Sequence, residues 1–170
     1  MRRRTLGCFA IFSMFLCLFL PCLLTGQDAA SPATATCNFD ADKQLVVHYQ
    51  PAPIGKKGLV YGKPWAPGGQ PLTLFTNAPV EIGGKQLSMG AYTMFLLPNS
   101  KQWTLIVSRD TNLSGNYDEA QDVVRTPMDS GELPMPVKEL NVSFGHIAPD
   151  QCSIRIDFAK AGYFTVFQAK

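Results

Sequence analysis

Residues 61–125 read YGKPWAPGGQPLTLFTNAPVEIGGKQLSMGAYTMFLLPNSKQWTLIVSRDTNLSGNYDEAQDVVR, and no apolar run in this block goes far before glycine, proline or asparagine breaks it. An amphipathic helix needs apolar residues at three- and four-residue intervals over several turns, and an internal proline costs it about 3 kcal/mol. Short apolar runs bounded by turn formers are instead the pattern of strands. The block therefore commits the chain to an all-β fold.

The same punctuation continues to the C-terminus. Residues 152–158 place Cys152, Ile154, Ile156 and Phe158 on one face and Ser153, Arg155 and Asp157 on the other, a half-buried strand. Residues 140–144 alternate in the same way, and 163–167 complete a three-stranded meander. Residues 91–97 are apolar on both faces, which predicts a central strand covered on both sides, paired with 103–107 across Pro98, Asn99 and Ser100. Val80-Glu81-Ile82 and Lys85-Gln86-Leu87 flank Gly83-Gly84, suited to the positive φ of a tight hairpin. Residues 45–49, 72–76 and 123–125 supply further strands, and TPMDSGELPMPVK at 127–139 reads as a proline-interrupted excursion. The expectation is a single antiparallel β-sandwich of eight or nine strands, or a related partly closed barrel.

Ahead of this domain, Met1-Arg2-Arg3-Arg4-Thr5 precedes the apolar stretch LGCFAIFSMFLCLFLPCLL and then small and polar residues. A basic start, an apolar middle and a small-residue exit make a secretory signal peptide. The stretch is also long enough to span a membrane. Pro21 near its end and the small residues beyond it favour cleavage between Gly26 and Ala30. The expected division is a signal peptide at 1–26, a flexible segment at 27–36 and the sandwich at 37–170. An uncleaved segment would keep the three arginines on the cytoplasmic side, so the membrane would be met only through the N-terminal segment. In both cases the domain is expected outside the cytoplasm, periplasmic or secreted.

Residues 1–26 hold three arginines and no acid, so the remaining chain sets 12 basic groups against 13 acidic ones, a net charge of −1 drawn from totals of 15 and 13. A near-neutral domain offers no basic face for nucleic acid. Cys8, Cys17 and Cys22 lie in the leader, leaving Cys37 and Cys152, 115 positions apart. An oxidising compartment favours a disulfide between them over two buried thiols.

Two loops carry the candidate site. Tyr61, Lys63, Trp65 and Gln70 sit in a glycine- and proline-rich stretch, where aromatic and cationic groups could contact a sugar or peptide or could cap the core. Asn112, Tyr117 and Asp118 belong to a polar run, 110–118, with oxygen-bearing residues at alternate positions. The acid a calcium loop needs at its twelfth position is Gln121 here, so a hairpin loop built on local turns is the better reading. Arg125 lies beside Asp122, with Arg109 ending another strand, as an ion pair or an anion-binding arginine. His48 and His146 lack the close spacing of zinc ligands. No G-x-S-x-G, S-x-x-K, Walker, dinucleotide or H-E-x-x-H pattern is present.

Taken in order, Tyr49-Gln50-Pro51, Gly55-Lys56-Lys57, Tyr61-Gly62-Lys63-Pro64-Trp65, Gly83-Gly84-Lys85-Gln86-Leu87, Gly90-Ala91-Tyr92, Pro98, Trp103, Tyr117-Asp118 and Asp122-Val123-Val124-Arg125 resemble the exported bacterial family DUF2911, a domain of unknown function. The resemblance spans residues 44–168 and implies fold and export rather than an activity. Where that family commonly has an arginine after the tryptophan this chain has Ala66, and Gly69-Gln70 and Leu113-Ser114-Gly115 also depart from its pattern.

The functional expectation is a non-catalytic binding module for a glycan, a peptide or an envelope partner, with no cofactor and no metal. Its binding face is expected at the loops 61–70 and 110–118. The alternatives are a hydrolase using Asp118, Asp122 or His146 as acid or base, and a structural subunit of an envelope assembly, marked by an exposed edge strand or apolar patch.

Overall fold

The computed structural model describes residues 31–55 and 59–170. The expected signal peptide lies outside the described residues, as do Lys56 and Lys57. The described residues form twelve strands in two antiparallel sheets: β1 (Ala33–Asn38), β2 (Gln44–Tyr49), β3 (Leu72–Thr76), β4 (Val80–Ile82), β5 (Lys85–Leu87), β6 (Gly90–Leu97), β7 (Thr104–Ser108), β8 (Asp122–Pro127), β9 (Asp129–Glu132), β10 (Asn141–Ala148), β11 (Gln151–Phe158) and β12 (Ala161–Ala169). The first sheet runs β1-β2-β3-β6-β7-β8 and the second β10-β11-β12-β4-β5, with β9 also pairing with β12. The architecture is the expected sandwich and not a closed barrel. No helix among the described residues is long and apolar enough to cross a membrane.

Period-two alternation builds the core directly. Leu45 and Val47 of β2, Leu72 and Leu74 of β3, Met94 and Leu96 of β6, and Leu105 and Val107 of β7 face Ile154, Ile156 and Phe167 of the second sheet. All of these side chains are at most 1% exposed. Burying each is worth about 1.5–3 kcal/mol, so the two inner faces carry most of the driving force.

The strand count exceeds the expected eight or nine, and two elements account for most of the difference. Residues 33–36, expected flexible, form the first part of β1, an edge strand whose inward residues Ala35 and Cys37 are buried. Its apolar phase is made of alanine and cysteine, too small to register as a hydrophobic run. Asp129–Glu132, inside the expected excursion, forms β9, fully exposed along its length and held by pairing with Ala161–Phe164 of β12. Backbone hydrogen bonds, not burial, define it. Gly83 and Gly84 make the β4–β5 turn with φ of 57° and 71°, as their composition predicts.

The two sheets are joined covalently. Cys37 of β1 and Cys152 of β11 lie at disulfide distance with Cα atoms 6.4 Å apart, linking the sheets along the side where β1 and β10 approach each other. On the opposite side the β4–β5 turn packs on β8, where a Cβ at Gly83 would come within 2.7 Å of Thr126 Cβ.

Candidate functional site

The loop 61–70 runs along the end of β6. Trp65 exchanges backbone hydrogen bonds with Leu96 at 2.7 and 3.0 Å, and Gly62 N–H donates to Pro98 O at 2.8 Å. This anchoring turns the Trp65 ring over the end of the core, where it meets Trp103 edge-on at 6.2 Å and Phe158 at 5.4 Å. Trp103 in turn stacks on Tyr163 at 4.0 Å. Trp65 is thus part of an aromatic plug closing one end of the sandwich. Burial, with a smaller contribution from nearby Tyr61, raises the Tyr163 phenol above its usual range. Tyr61 itself remains 65% exposed, and Lys63 points to solvent. Beside the plug, Ala52, Pro53, Gly55, Trp65, Ala66, Gly68 and Gly69 line an apolar recess of about 480 Å³.

The loop 110–118 is built from its own side chains. Asp110 Oδ1 accepts the Asn112 N–H at 2.9 Å, Asn112 Oδ1 the Ser114 N–H at 3.0 Å, Ser114 Oγ the Asn116 N–H at 3.4 Å, and Asp118 Oδ1 the Ala120 N–H at 3.0 Å. Each is a local turn bond two residues forward, and these bonds occupy the oxygens that gave the run its calcium-loop look. The loop folds back over the outer face of the first sheet. Thr93 Oγ1 donates to Asp110 O at 2.6 Å, and the Tyr117 ring packs edge-on against Phe95 at 5.2 Å. Phe95 and Ile106 point outward from the sheet yet are only 3% and 0% exposed. This cover is why β6 reads as apolar on both faces.

Tyr117 also anchors a polar cluster. Its hydroxyl donates to Asp122 Oδ2 at 2.5 Å, Arg125 Nε donates to the same oxygen at 2.6 Å, and Arg125 Nη2 contacts the Tyr117 oxygen. Arg125 also pairs with Glu119 at 3.1 Å. Burial and then the bond to Asp122 push the Tyr117 phenol up to about 12, with the Arg125 guanidinium opposing. The Asp122 bond likewise raises the Arg125 guanidinium. Asp122 Oδ1 is buried with no hydrogen-bond partner among the described residues. Of the two readings of Arg125, the structure forms the ion pair.

The two candidate loops do meet, though not through their aromatics. Gly115, at φ 76°, lies so close to Gly69 that a Cβ there would sit 2.5 Å from Gly69 O. From this junction Gln70 and Leu113 reach a small cleft of about 140 Å³, shared with Pro32, His48, Tyr49, Gln50, Pro71 and Thr73. A separate shallow groove of about 480 Å³ lies on the outer face of β2, β3 and β6, lined by Gln44, Val46, Phe75, Thr76, Asn77, Met89, Gly90 and Ala91. His48, which lines the cleft and whose Nδ1 is hydrogen-bonded to Thr34 Oγ1 at 2.8 Å, meets the Phe75 ring of the groove edge-on at 5.4 Å. Phe75 is 41% and Met89 67% exposed. No Asp, Glu, Lys or Arg lines either hollow.

Phe75 and Met89 were not among the residues singled out from sequence. The signal was present in LTLFT: Leu72 and Leu74 take the inward phase, so Phe75 falls on the outward one, where a polar residue is expected. The proposed acid–base groups are not gathered. Asp118 caps a short 3₁₀ turn at Glu119–Gln121, Asp122 is bound by Tyr117 and Arg125, and His146 lies on β10 of the other sheet. His48 and His146 are likewise on different sheets.

Fold and site together define an antiparallel β-sandwich stapled between its sheets, with one sheet face half covered by a loop and half open. The chain belongs to the family described as protein of unknown function, DUF2911, whose profile matches residues 31–164. The match begins ahead of β1, so this edge strand is part of the family's domain. No curated protein and no solved structure matches the chain.

Proposed function

We propose that the protein is an exported, non-catalytic binding module that holds a neutral glycan across the open half of the first sheet's outer face. The observation that carries this reading is the uncharged groove in which Phe75 and Met89 stand exposed beside His48. An exposed ring on a rigid sheet stacks on the C–H face of a sugar, and the neighbouring hydroxyl and amide groups accompany it at the rim. An extended peptide is disfavoured here, because β2, β3 and β6 are each paired on both sides and offer no edge for strand addition. Export is supported by the leader pattern of residues 1–26 and by the Cys37–Cys152 pair.

Affinity electrophoresis through gels containing neutral polysaccharides tests the reading. Retardation is expected for the wild-type protein, and Phe75→Ala should abolish it while barely moving the melting temperature. A protein that migrates freely through every polysaccharide, or a variant retarded like the wild type, would sink it.

A second reading, an assembly subunit, draws on Phe164 and Val166. They stand 36% and 39% exposed on the outer face of the second sheet. Light scattering decides it, since a strict monomer at high concentration excludes self-assembly through that face.

A further inference from the structure

Three ligand atoms converge between the sheets. Cys37 of β1 and Cys152 of β11 meet there, and His146 of β10 is the cross-strand partner of Cys152. His146 Nδ1 lies 3.8 Å from Cys152 Sγ, and the two sulfurs and the ring nitrogen all fall within 4.8 Å of one another. The cysteines are 3% and 1% exposed while His146 is exposed, so the cluster opens to solvent on its imidazole side.

A tetrahedral zinc ion, with bonds of about 2.3 Å to sulfur and about 2.0 Å to nitrogen, sets its ligand atoms about 3.5–4 Å apart. The nitrogen–sulfur separation already has this value. The Cα atoms of the cysteines, 6.4 Å apart, lie toward the wide end of the range a disulfide accepts, about 4.4–6.8 Å. Parting the sulfurs therefore calls for side-chain rotation rather than strand movement. The backbone is also pinned independently of them, because Asp40 N–H donates to Pro149 O at 2.9 Å and ties the turn after β1 to the turn between β10 and β11.

We propose that this cluster is a redox-gated zinc site. In the oxidised protein the sulfurs are bonded to each other and hold no ion. A dithiol reduces that bond, passing two electrons and two protons to the sulfurs and leaving as its own disulfide. Zn²⁺ then displaces both thiol protons to water and is held by two thiolates and His146 Nδ1, with a water in the outward fourth position. The ion's charge cancels that of the thiolates, which permits them at such low exposure. Two sulfurs and an imidazole, with no carboxylate in the cluster, select zinc over a hard cation.

The test uses the full chain in mild detergent, with Cys8→Ser, Cys17→Ser and Cys22→Ser so that only this pair is counted. After anaerobic reduction with a phosphine, Co²⁺ serves as the optical probe. One equivalent should bind with sulfur-to-cobalt charge-transfer absorption, Zn²⁺ should displace it, and the oxidised protein should give no signal. His146→Ala should weaken binding by at least about tenfold at an unchanged thiol count. Absence of the absorption, equal affinity in the His146 variant, or loss of near-ultraviolet dichroism on reduction would each overturn the proposal.

Discussion

At the scale of single residues, the Tyr117 cluster makes stability depend on alkaline pH. In the folded chain the phenol is raised from 10.0 to about 12, by burial first and then by its bond to Asp122. The unfolded phenol ionises first as pH rises, so the contribution is fully present below pH 10 and is lost as pH climbs through about 12. Melting temperature followed across that window should fall less steeply for Tyr117→Phe than for the wild type. Parallel curves would remove Tyr117 as the cause. Within the cluster, Asp122 and Glu119 both pair with the Arg125 guanidinium.

At the scale of elements, the β4–β5 hairpin closes one side of the sandwich through a single missing side chain. Gly83→Ala would set a Cβ 2.7 Å from Thr126 Cβ on β8 and would also strain a φ of 57°. Gly84→Ala has a similar positive φ with open space around it. Urea unfolding should show about 1 kcal/mol lost at Gly84 and about 1–3 kcal/mol more at Gly83, the excess being the clash with β8. Equal losses would mean that the hairpin moves freely away from β8. Strands with large alternating side chains, such as Ile154 and Ile156 on β11, are legible in the sequence because the pattern and the burial are the same fact. β1 and β9 are not, since one buries only alanine and cysteine and the other buries nothing. The candidate site divides in the same way. Turn chemistry in 110–118 is local and can be read from the chain, whereas the meeting of Gly69 with Gly115, or of His146 with Cys152, depends on loop path and strand register.

At the scale of the whole molecule, two sheets with separate edges are held by packing and by one covalent link. The Cys37–Cys152 bridge closes a loop with a separation of 115 residues, and removing it should cost about 4–5 kcal/mol on the chain-entropy account. The double variant Cys37→Ser, Cys152→Ser should therefore unfold at markedly lower urea than the oxidised wild type. An unchanged midpoint would mean that the unfolded chain gains no freedom from its loss. The open groove across β2, β3 and β6 lies on the sheet that carries β1, so its shape depends on the integrity of the bridged sheet.

The bridge also sets how the domain answers a mechanical pull. Load applied between the two ends of the chain enters at Cys37 and leaves at Cys152, passing through the sulfur–sulfur bond. The intervening backbone, which contains β2 to β10, cannot be drawn out to its full length while that bond is closed. While the bond is closed, only the residues before Cys37 and after Cys152 can be drawn out in full by such a pull.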